Sequence, residues 1–282
     1  MTHGQTVRVH RDRRIRPAPL GAGLGVAVAL SGCTGGPDPS PAPAPSIAVP
    51  SPAAPSASAP SASPSAPFDA PEPVVVRAGS GPVAIDVLVR GVPIDDPHVT
   101  VTRGDDTTLT FDLSNLPTQV PAVVALSSPG AFALNADGSV TIVDDHGDAV
   151  GGLTRPTPGA LFSAADESHL ELTRPDEPVD VAEVSTRLGT TAIAGVDWGE
   201  REGGRSLAVE PTAWTRDAGQ AGRAAAWAAL TQDEPDADSP GMHDQLVCHA
   251  IGARDKATWN LEPWRPDVGL VAVMAARCNP VE

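Results

Sequence analysis

Hydrophobic and polar positions alternate with a period of two over residues 74–190. In VAIDVLVR, the side chains of Ile85, Val87 and Val89 fall on one face of an extended segment. Further short β-branched runs follow, among them HVTVT, TTLTFDL, SVTIV and HLELT, and turn residues such as Asp137-Gly138 separate them. Short alternating strands between frequent turns are typical of a sandwich or small barrel. We therefore predict an all-β middle domain over residues 74–190.

The pattern changes in residues 191–282. VDWGEREGGRSLAVEP predicts two strands around a glycine turn, and the alanine-rich DAGQAGRAAAWAALTQ predicts a helix that Asp217 could cap. Ser239-Pro240 predicts the start of a second helix, which Gly252 would close. The apolar VGLVAVMAARC near the C-terminus fits a helix or a strand equally well. This part of the chain predicts a small α+β domain.

Residues 34–73 hold no pattern that could fill a core. They consist largely of proline, alanine and serine, and proline fixes φ and removes a backbone donor. We predict a disordered tether with polyproline-II character, which at ~3.1 Å per residue reaches up to about 120 Å. With the cysteine that precedes it, the tether comprises residues 33–73.

Residues 1–32 have the layout of an export signal. Five arginines precede 14 mostly apolar residues, a stretch too short to span a bilayer but suited to a signal-peptide core. It ends in Leu30, Ser31, Gly32 and Cys33, which together resemble the bacterial lipobox. The resemblance implies cleavage after Gly32, lipidation of Cys33 with palmitate, and anchoring to the outer face of the cell membrane. The alternative is an ordinary secreted protein with an incidental cysteine.

Charge limits the classes of partner. The chain of 282 residues has 19 Lys and Arg against 35 Asp and Glu, a formal net charge of −16, and Lys256 is its only lysine. Nucleic-acid binding needs basic surfaces that neutralise phosphates, so we predict no nucleic-acid partner. The sequence contains no tyrosine, which excludes tyrosine-based acid chemistry.

Two cysteines remain once Cys33 is lipidated. Cys248 and Cys278 form an even pair outside the cytoplasm, so we expect a disulfide between them. The chain-entropy contribution of such a loop is about 3.7 kcal/mol. A metal site of Cys248 with His249 and His243 is disfavoured, because adjacent helical residues face different ways and the two histidines lack i, i+4 spacing. We predict no metal and no cofactor, and we interpret the acidic VDDHGD as a solvated turn.

The loop between the two cysteines concentrates chemically useful side chains. The candidate binding or catalytic residues are His249, Asp255, Lys256, Trp259, Asn260, Glu262, Trp264 and Arg265. A histidine near carboxylates could be a general base, and an arginine could clamp an anion. No nucleophile elbow, metalloprotease helix or phosphate loop accompanies them. A structural interpretation, in which Glu262 pairs with Arg265 and the tryptophans fill a core, is therefore favoured.

The C-terminal motifs also carry a resemblance. DWGEREGGRSLAVEPTAWTR, LVCHA and WNLEPWRP together resemble the family of domains of unknown function numbered 2599, over about residues 195–280. That family occurs in secreted and surface proteins of high-GC Gram-positive bacteria. The resemblance implies an exported actinobacterial protein and implies no activity.

Two hypotheses for function follow. The first is a lipid-anchored, extracytoplasmic, non-catalytic module that binds a glycan or a protein of the cell envelope. The alternative is an extracellular hydrolase or transferase that uses His249 and Glu262. The absence of a catalytic motif favours the first, and the sequence leaves the oligomeric state open.

Overall fold

The computed structural model describes residues 72–114, 122–173 and 182–281, and Pro64–Glu282 form one compact unit. The predicted signal peptide, Cys33 and the tether up to residue 71 lie outside the described residues. Within the described ranges, no helix is both long enough and apolar enough to cross a membrane.

Strands alone build the middle domain as far as the structure describes it. They are β1 (Val74–Ser80), β2 (Val83–Val89), β3 (Val99–Arg103), β4 (Thr107–Asp112), β5 (Ala122–Leu126), β6 (Ala131–Leu134), β7 (Val140–Val143), β8 (Ala149–Leu153), β9 (Leu161–Ala164), β10 (His169–Thr173) and β11 (Glu183–Gly189). One antiparallel sheet has the order β1-β2-β5-β10-β9, and the other has the order β3-β4-β11-β8-β7-β6.

The two sheets share one hydrophobic core. Val87 of β2 and Val124 of β5 belong to the same buried cluster as Phe111 of β4 and Leu188 of β11. Alternate residues of β2, β4 and β10 are the more buried ones, as a period of two requires. The predicted β-rich fold of the middle part is confirmed, in the form of two sheets that share one core.

The C-terminal part adds a three-stranded sheet and four helices. Its elements are β12 (Ile193–Arg201), β13 (Gly204–Pro211), α1 (Ala213–Asp217), α2 (Gly219–Asp233), α3 (Pro240–Gly252), β14 (Trp259–Leu261) and α4 (Leu270–Ala275). The sheet is antiparallel, with β13 in the centre. Glu202 and Gly203 both have positive φ, which forms the tight turn of the predicted β12–β13 hairpin. The α+β prediction is confirmed.

Helix α3 begins and ends close to its predicted bounds. The hydroxyl of Ser239 accepts a hydrogen bond from the Met242 N–H, and Pro240 occupies the first turn. Gly252 is the last helical residue, and Ala253 is the C-cap. The final apolar element, for which helix and strand were both open, is the helix α4.

The start of α2 differs from the prediction. Asp217 lies at the end of α1 and makes ion pairs with Arg187 and Arg254, so it does not cap α2. Asp137 of the β6–β7 turn does so instead, because its Oδ2 accepts the Gln220 N–H at 2.7 Å. Burial raises the pKa of Asp137, but hydrogen bonds from Ser139 and Gln220 outweigh that effect and hold the pKa below its usual value. The middle domain thus supplies the cap of a C-terminal helix.

Candidate functional site

The disulfide joins α3 to the end of the chain. Cys248 and Cys278 are bonded, with their Cα atoms 5.5 Å apart and a sequence separation of 30. Val273 of α4 is buried against them, and these three residues form a separate small hydrophobic cluster. The predicted disulfide is confirmed, and it holds α4 against α3.

Glu262 and Arg265 form a buried ion pair just after β14. Arg265 Nε donates to Glu262 Oε2, and only 2% of Glu262 and 5% of Arg265 is exposed. The other guanidinium nitrogens donate to the Pro280 carbonyl at 3.1 Å and to Glu202 Oε2 at 2.6 Å. Arg265 therefore ties the hairpin turn and the C-terminal segment to the loop after β14.

Gln245 supports the same segment from α3. Its side-chain amide donates to the Glu262 carbonyl at 3.1 Å and accepts the Glu262 N–H at 2.8 Å. Gln245 and Glu262 are both buried. The Gln245 side chain therefore satisfies the backbone N–H and C=O of Glu262, which lie beyond the end of β14 and pair with no strand in the described part of the chain. The sequence reasoning missed this residue, and no local motif marks it.

His249 is an interior histidine. It is 3% exposed, and its Nε2 lies 3.0 Å from the Asn260 carbonyl oxygen. Because a carbonyl only accepts, Nε2 carries the proton and Nδ1 has a free lone pair. Nδ1 makes no hydrogen bond with any residue in the described ranges. Burial, aided by the charge of Lys256, lowers the His249 pKa to about 4 despite the opposing hydrogen bond to Asn260.

The two tryptophans of WNLEPWRP have different roles. Trp259 is fully buried in the hydrophobic core of the C-terminal domain, together with Leu207 and Leu246. Trp264 is 43% exposed, stacks against the guanidinium of Arg265 at 4.5 Å, and lies directly over Gly204. Of the two, only Trp264 offers aromatic surface to a ligand.

Asp255 and Lys256 lie in an exposed loop with a fixed backbone. The guanidinium of Arg216 in α1 donates to the carbonyls of Arg254, Lys256 and Ala257, the last at 2.9 Å. A single arginine thus binds three backbone carbonyls of this loop. The Asp255 and Lys256 side chains face solvent. Their placement fits a surface contact and not an enclosed site.

The eight candidate residues therefore divide into three sets. His249, Trp259, Glu262 and Arg265 are buried. Glu262, Arg265 and the Nε2 of His249 bind other parts of the chain, whereas His249 Nδ1 and Trp259 Nε1 have no hydrogen-bond partner among the described residues. Asp255, Lys256 and Trp264 are exposed, and Asn260 is half-buried in β14. The structure pairs Glu262 with Arg265 and places His249 against the Asn260 backbone, but it forms no ion pair or hydrogen bond between the side chains of His249 and Glu262 within the part of the chain it describes.

One acidic turn brings several ligand-type atoms together. Asp144, Asp145 and His146 have ligand atoms within 4.8 Å of one another. Asp144 Oδ1, however, accepts the N–H groups of His146 and Asp148, so this carboxylate closes the turn itself. The hydrogen bond from Asp148 lowers the Asp144 pKa most strongly, and the bond from His146 lowers it further. Together they outweigh the opposing effect of desolvation, so the Asp144 pKa lies below its usual value. The arrangement is that of a hydrogen-bonded acidic turn.

Comparison with known families assigns the C-terminal domain. Residues 193–281 match the family described as "Protein of unknown function (DUF2599)" and form a DUF2599 domain. This agrees closely with the range expected from the sequence motifs.

Curated relatives match the same part of the chain. "Uncharacterized protein Rv0477" of Mycobacterium tuberculosis (strain ATCC 25618 / H37Rv) is 39% identical over 92 residues, which cover 30% of this chain and 62% of that protein. "Uncharacterized protein ML2452" of Mycobacterium leprae (strain TN) is 36% identical over 81 residues, which cover 27% of this chain and 60% of that protein. The chain thus spans about three fifths of the length of these relatives. No solved structure matches the chain.

Proposed function

We propose that this chain, whose residues 193–281 form a DUF2599 domain, is a lipid-anchored module on the outer face of the cell membrane that binds a glycan or a protein of the cell envelope without catalysing a reaction. Cys33 would carry the lipid, and residues 34–73 would tether the folded part. The lipobox-like LSGC after a short apolar stretch supports the anchor. Two or more acyl chains would hold the protein firmly, since each buried methylene contributes roughly 0.8 kcal/mol.

The burial of Glu262 and its ion pair with Arg265 are the main support for a non-catalytic function. A general acid or base must exchange a proton with a substrate that lies within hydrogen-bonding reach. The Glu262 carboxylate is withdrawn from solvent and engaged with Arg265, whose remaining nitrogens bind Glu202 and Pro280. This geometry makes Glu262 an internal brace of the domain.

The alternative, a hydrolase or transferase that uses His249 and Glu262, draws on one observation. His249 is neutral at pH 7, with an unprotonated Nδ1 that makes no hydrogen bond with a described residue. A base needs such a lone pair, but it also needs access to substrate. Because His249 is 3% exposed and its Nε2–H is held by Asn260, binding is the better-supported function.

Co-sedimentation of the purified chain with isolated cell-envelope fractions tests the proposal. We expect saturable binding that leaves the envelope material chemically unchanged. The variant His249→Gln keeps an N–H donor for the Asn260 carbonyl but removes the imidazole base, so binding should persist in it. A soluble product that the wild type releases and His249→Gln or Glu262→Gln does not would contradict the proposal in favour of the enzyme.

The anchor is tested separately. Radiolabelled palmitate should enter the wild-type chain and not the Cys33→Ala variant, whereas Cys278→Ala should label like the wild type. Equal labelling of the wild type and Cys33→Ala would overturn the lipidation.

A further inference from the structure

A cavity of about 680 Å³ lies where the middle domain meets the C-terminal domain. The β3–β4 turn and the end of β11 form one side, and the end of β13 with the start of α1 forms the other. Ligand pockets have volumes of roughly 300–1,000 Å³ and favour such domain junctions. None of the eight candidate residues from the sequence lines this cavity, because its walls come from segments far apart in the chain.

Two contacts fix the walls. Arg187 of β11 donates from Nε to Asp106 at 3.0 Å and from Nη1 to Asp217 of α1 at 2.7 Å, which joins the two sides. These carboxylates raise the Arg187 pKa, Asp106 most strongly, so the guanidinium stays charged. The Trp214 indole lies directly on Gly189, and its Nε1 donates to the Arg187 carbonyl at 3.3 Å. The cavity is therefore preformed and needs no rearrangement to accept a ligand.

The lining carries a surplus of negative charge. Asp106 and Asp217 already neutralise Arg187. Asp105 and Glu210 also border the cavity and are exposed, and neither carboxylate pairs with a residue in the ranges 72–114, 122–173 and 182–281. An anionic ligand would meet two uncompensated carboxylates, whereas a cation would neutralise them.

Apolar groups also line the cavity. Ala194 and Ala213 are exposed, whereas Pro211 and Trp214 are buried in the wall. A surface with carboxylates beside apolar groups matches a side chain with an aliphatic stem and a cationic head. Lysine and arginine have that form, whereas an amino sugar presents hydroxyl groups where the stem would lie.

We propose that this cavity binds a lysine or arginine side chain of a basic peptide segment, with the stem beside Ala194 and Ala213 and the cationic head between Asp105 and Glu210. The inference rests on the proposed binding function and names the site and the partner class for it. The net charge of −16 of the whole chain favours the approach of such a partner.

Calorimetric titration of the purified full chain with a capped Leu-Arg-Leu peptide tests the inference. The matched ligand has citrulline in place of arginine, which keeps the shape and removes the charge. We expect the arginine peptide to bind at least tenfold more tightly than the citrulline peptide, and less tightly as salt rises. Equal affinity for the two peptides, or no binding of either, would overturn the inference.

Variants locate the site. Glu210→Gln and Asp105→Asn should each weaken binding at least fivefold, while Asp95→Asn, which removes an exposed carboxylate elsewhere, should change it less than twofold. Ala194→Arg places a guanidinium in the cavity beside Glu210 and should abolish binding. Equal weakening by Asp95→Asn and Glu210→Gln would show only non-specific attraction to an acidic surface and would overturn the site.

The same variants separate this inference from the proposed function. If the chain sediments with envelope fractions and Ala194→Arg sediments equally well, the module binds its partner elsewhere and the cavity inference is wrong. If a glucosamine trimer binds the cavity more tightly than the arginine peptide, the partner class is wrong. Absence of all envelope binding by the wild type would instead contradict the proposed function itself.

Discussion

Arg265 and Glu262 form an ion pair three residues apart in the interior of the DUF2599 domain, where 5% and 2% of the two residues are exposed. Burying both charges costs solvation free energy, which the pair recovers through its mutual attraction and through hydrogen bonds to the rest of the chain. Arg265 makes those further bonds to Glu202 and Pro280, and Gln245 makes them to the Glu262 backbone. The pair therefore depends on elements from both ends of the domain.

Arg265→Met should destabilise the protein strongly, since it leaves the Glu262 carboxylate buried without a partner. We expect a loss of about 3–5 kcal/mol in the free energy of unfolding, measured by urea denaturation with tryptophan fluorescence. The double variant Arg265→Met/Glu262→Gln should lose less than the single one, because its buried charge is gone. Arg201→Met, at an exposed arginine, should stay within about 0.5 kcal/mol. If Arg265→Met lowered the free energy of unfolding as little as Arg201→Met does, the ion pair with Glu262 would not be a stabilising contact of the domain.

The sequence predicted the elements whose signals are local. Alternating residues predicted several strands of the middle part, such as β2, β4 and β10. Ser239-Pro240 predicted the start of α3. The expected export and the even number of remaining cysteines predicted the Cys248–Cys278 disulfide. The strand and helix signals are local, since each depends on a few neighbouring residues. The disulfide follows from the oxidising compartment in which such bonds form.

The organisation of the candidate site depended on contacts between distant residues. Asp217 is of a residue type that often caps helices, and its position before α2 predicted that role. In the structure Asp217 instead accepts a hydrogen bond from Arg187, which lies 30 residues earlier in the chain. Trp259 and Trp264 belong to one sequence motif, but only Trp259 lies in β14 with its side chain on the buried face of the strand. The cavity beside Trp214 likewise forms only when two domains meet, so periodicity could not indicate it.

Removal of the disulfide should free α4 before it affects the sandwich. In Cys248→Ala/Cys278→Ala we expect a loss of about 2–5 kcal/mol, consistent with the chain-entropy estimate for a separation of 30 residues. Amide exchange should accelerate most in Leu270–Ala275, where Val273 is the only buried residue, and least in Val83–Val89. Thiol titration of the denatured, unreduced wild type should find no free thiol at these two positions. Equal acceleration in both segments would contradict this account of α4.

Gly189 allows the close approach of Trp214. A Cβ at this position would overlap the indole ring, so Gly189→Ala must displace the ring or the end of β11. Overpacking of this kind costs about 1–3 kcal/mol. The matched control is Gly199→Ala in β12, where a Cβ would meet no atom within 4 Å, and its stability should barely change. Equal thermal unfolding of the two variants would show that Trp214 is free to move.

His249 should make the stability of the protein depend on pH between about 6.5 and 4. Its pKa falls from 6.5 to about 4 on folding, because burial disfavours the charged ring and Lys256 adds repulsion, against a smaller opposing effect of the hydrogen bond to Asn260. The unfolded chain therefore binds a proton in this window that the folded protein does not, so stability decreases as pH falls, by about 3 kcal/mol from this group. Aspartates with lowered pKa also contribute at acid pH, so the measured quantity is the difference between wild type and His249→Gln in urea denaturation at pH 7.5, 6, 5 and 4. That difference should shift in favour of His249→Gln as pH falls, and most of the shift should occur between pH 6 and 4. A difference that stays constant over this range would mean that His249 is accessible to protonation in the folded protein.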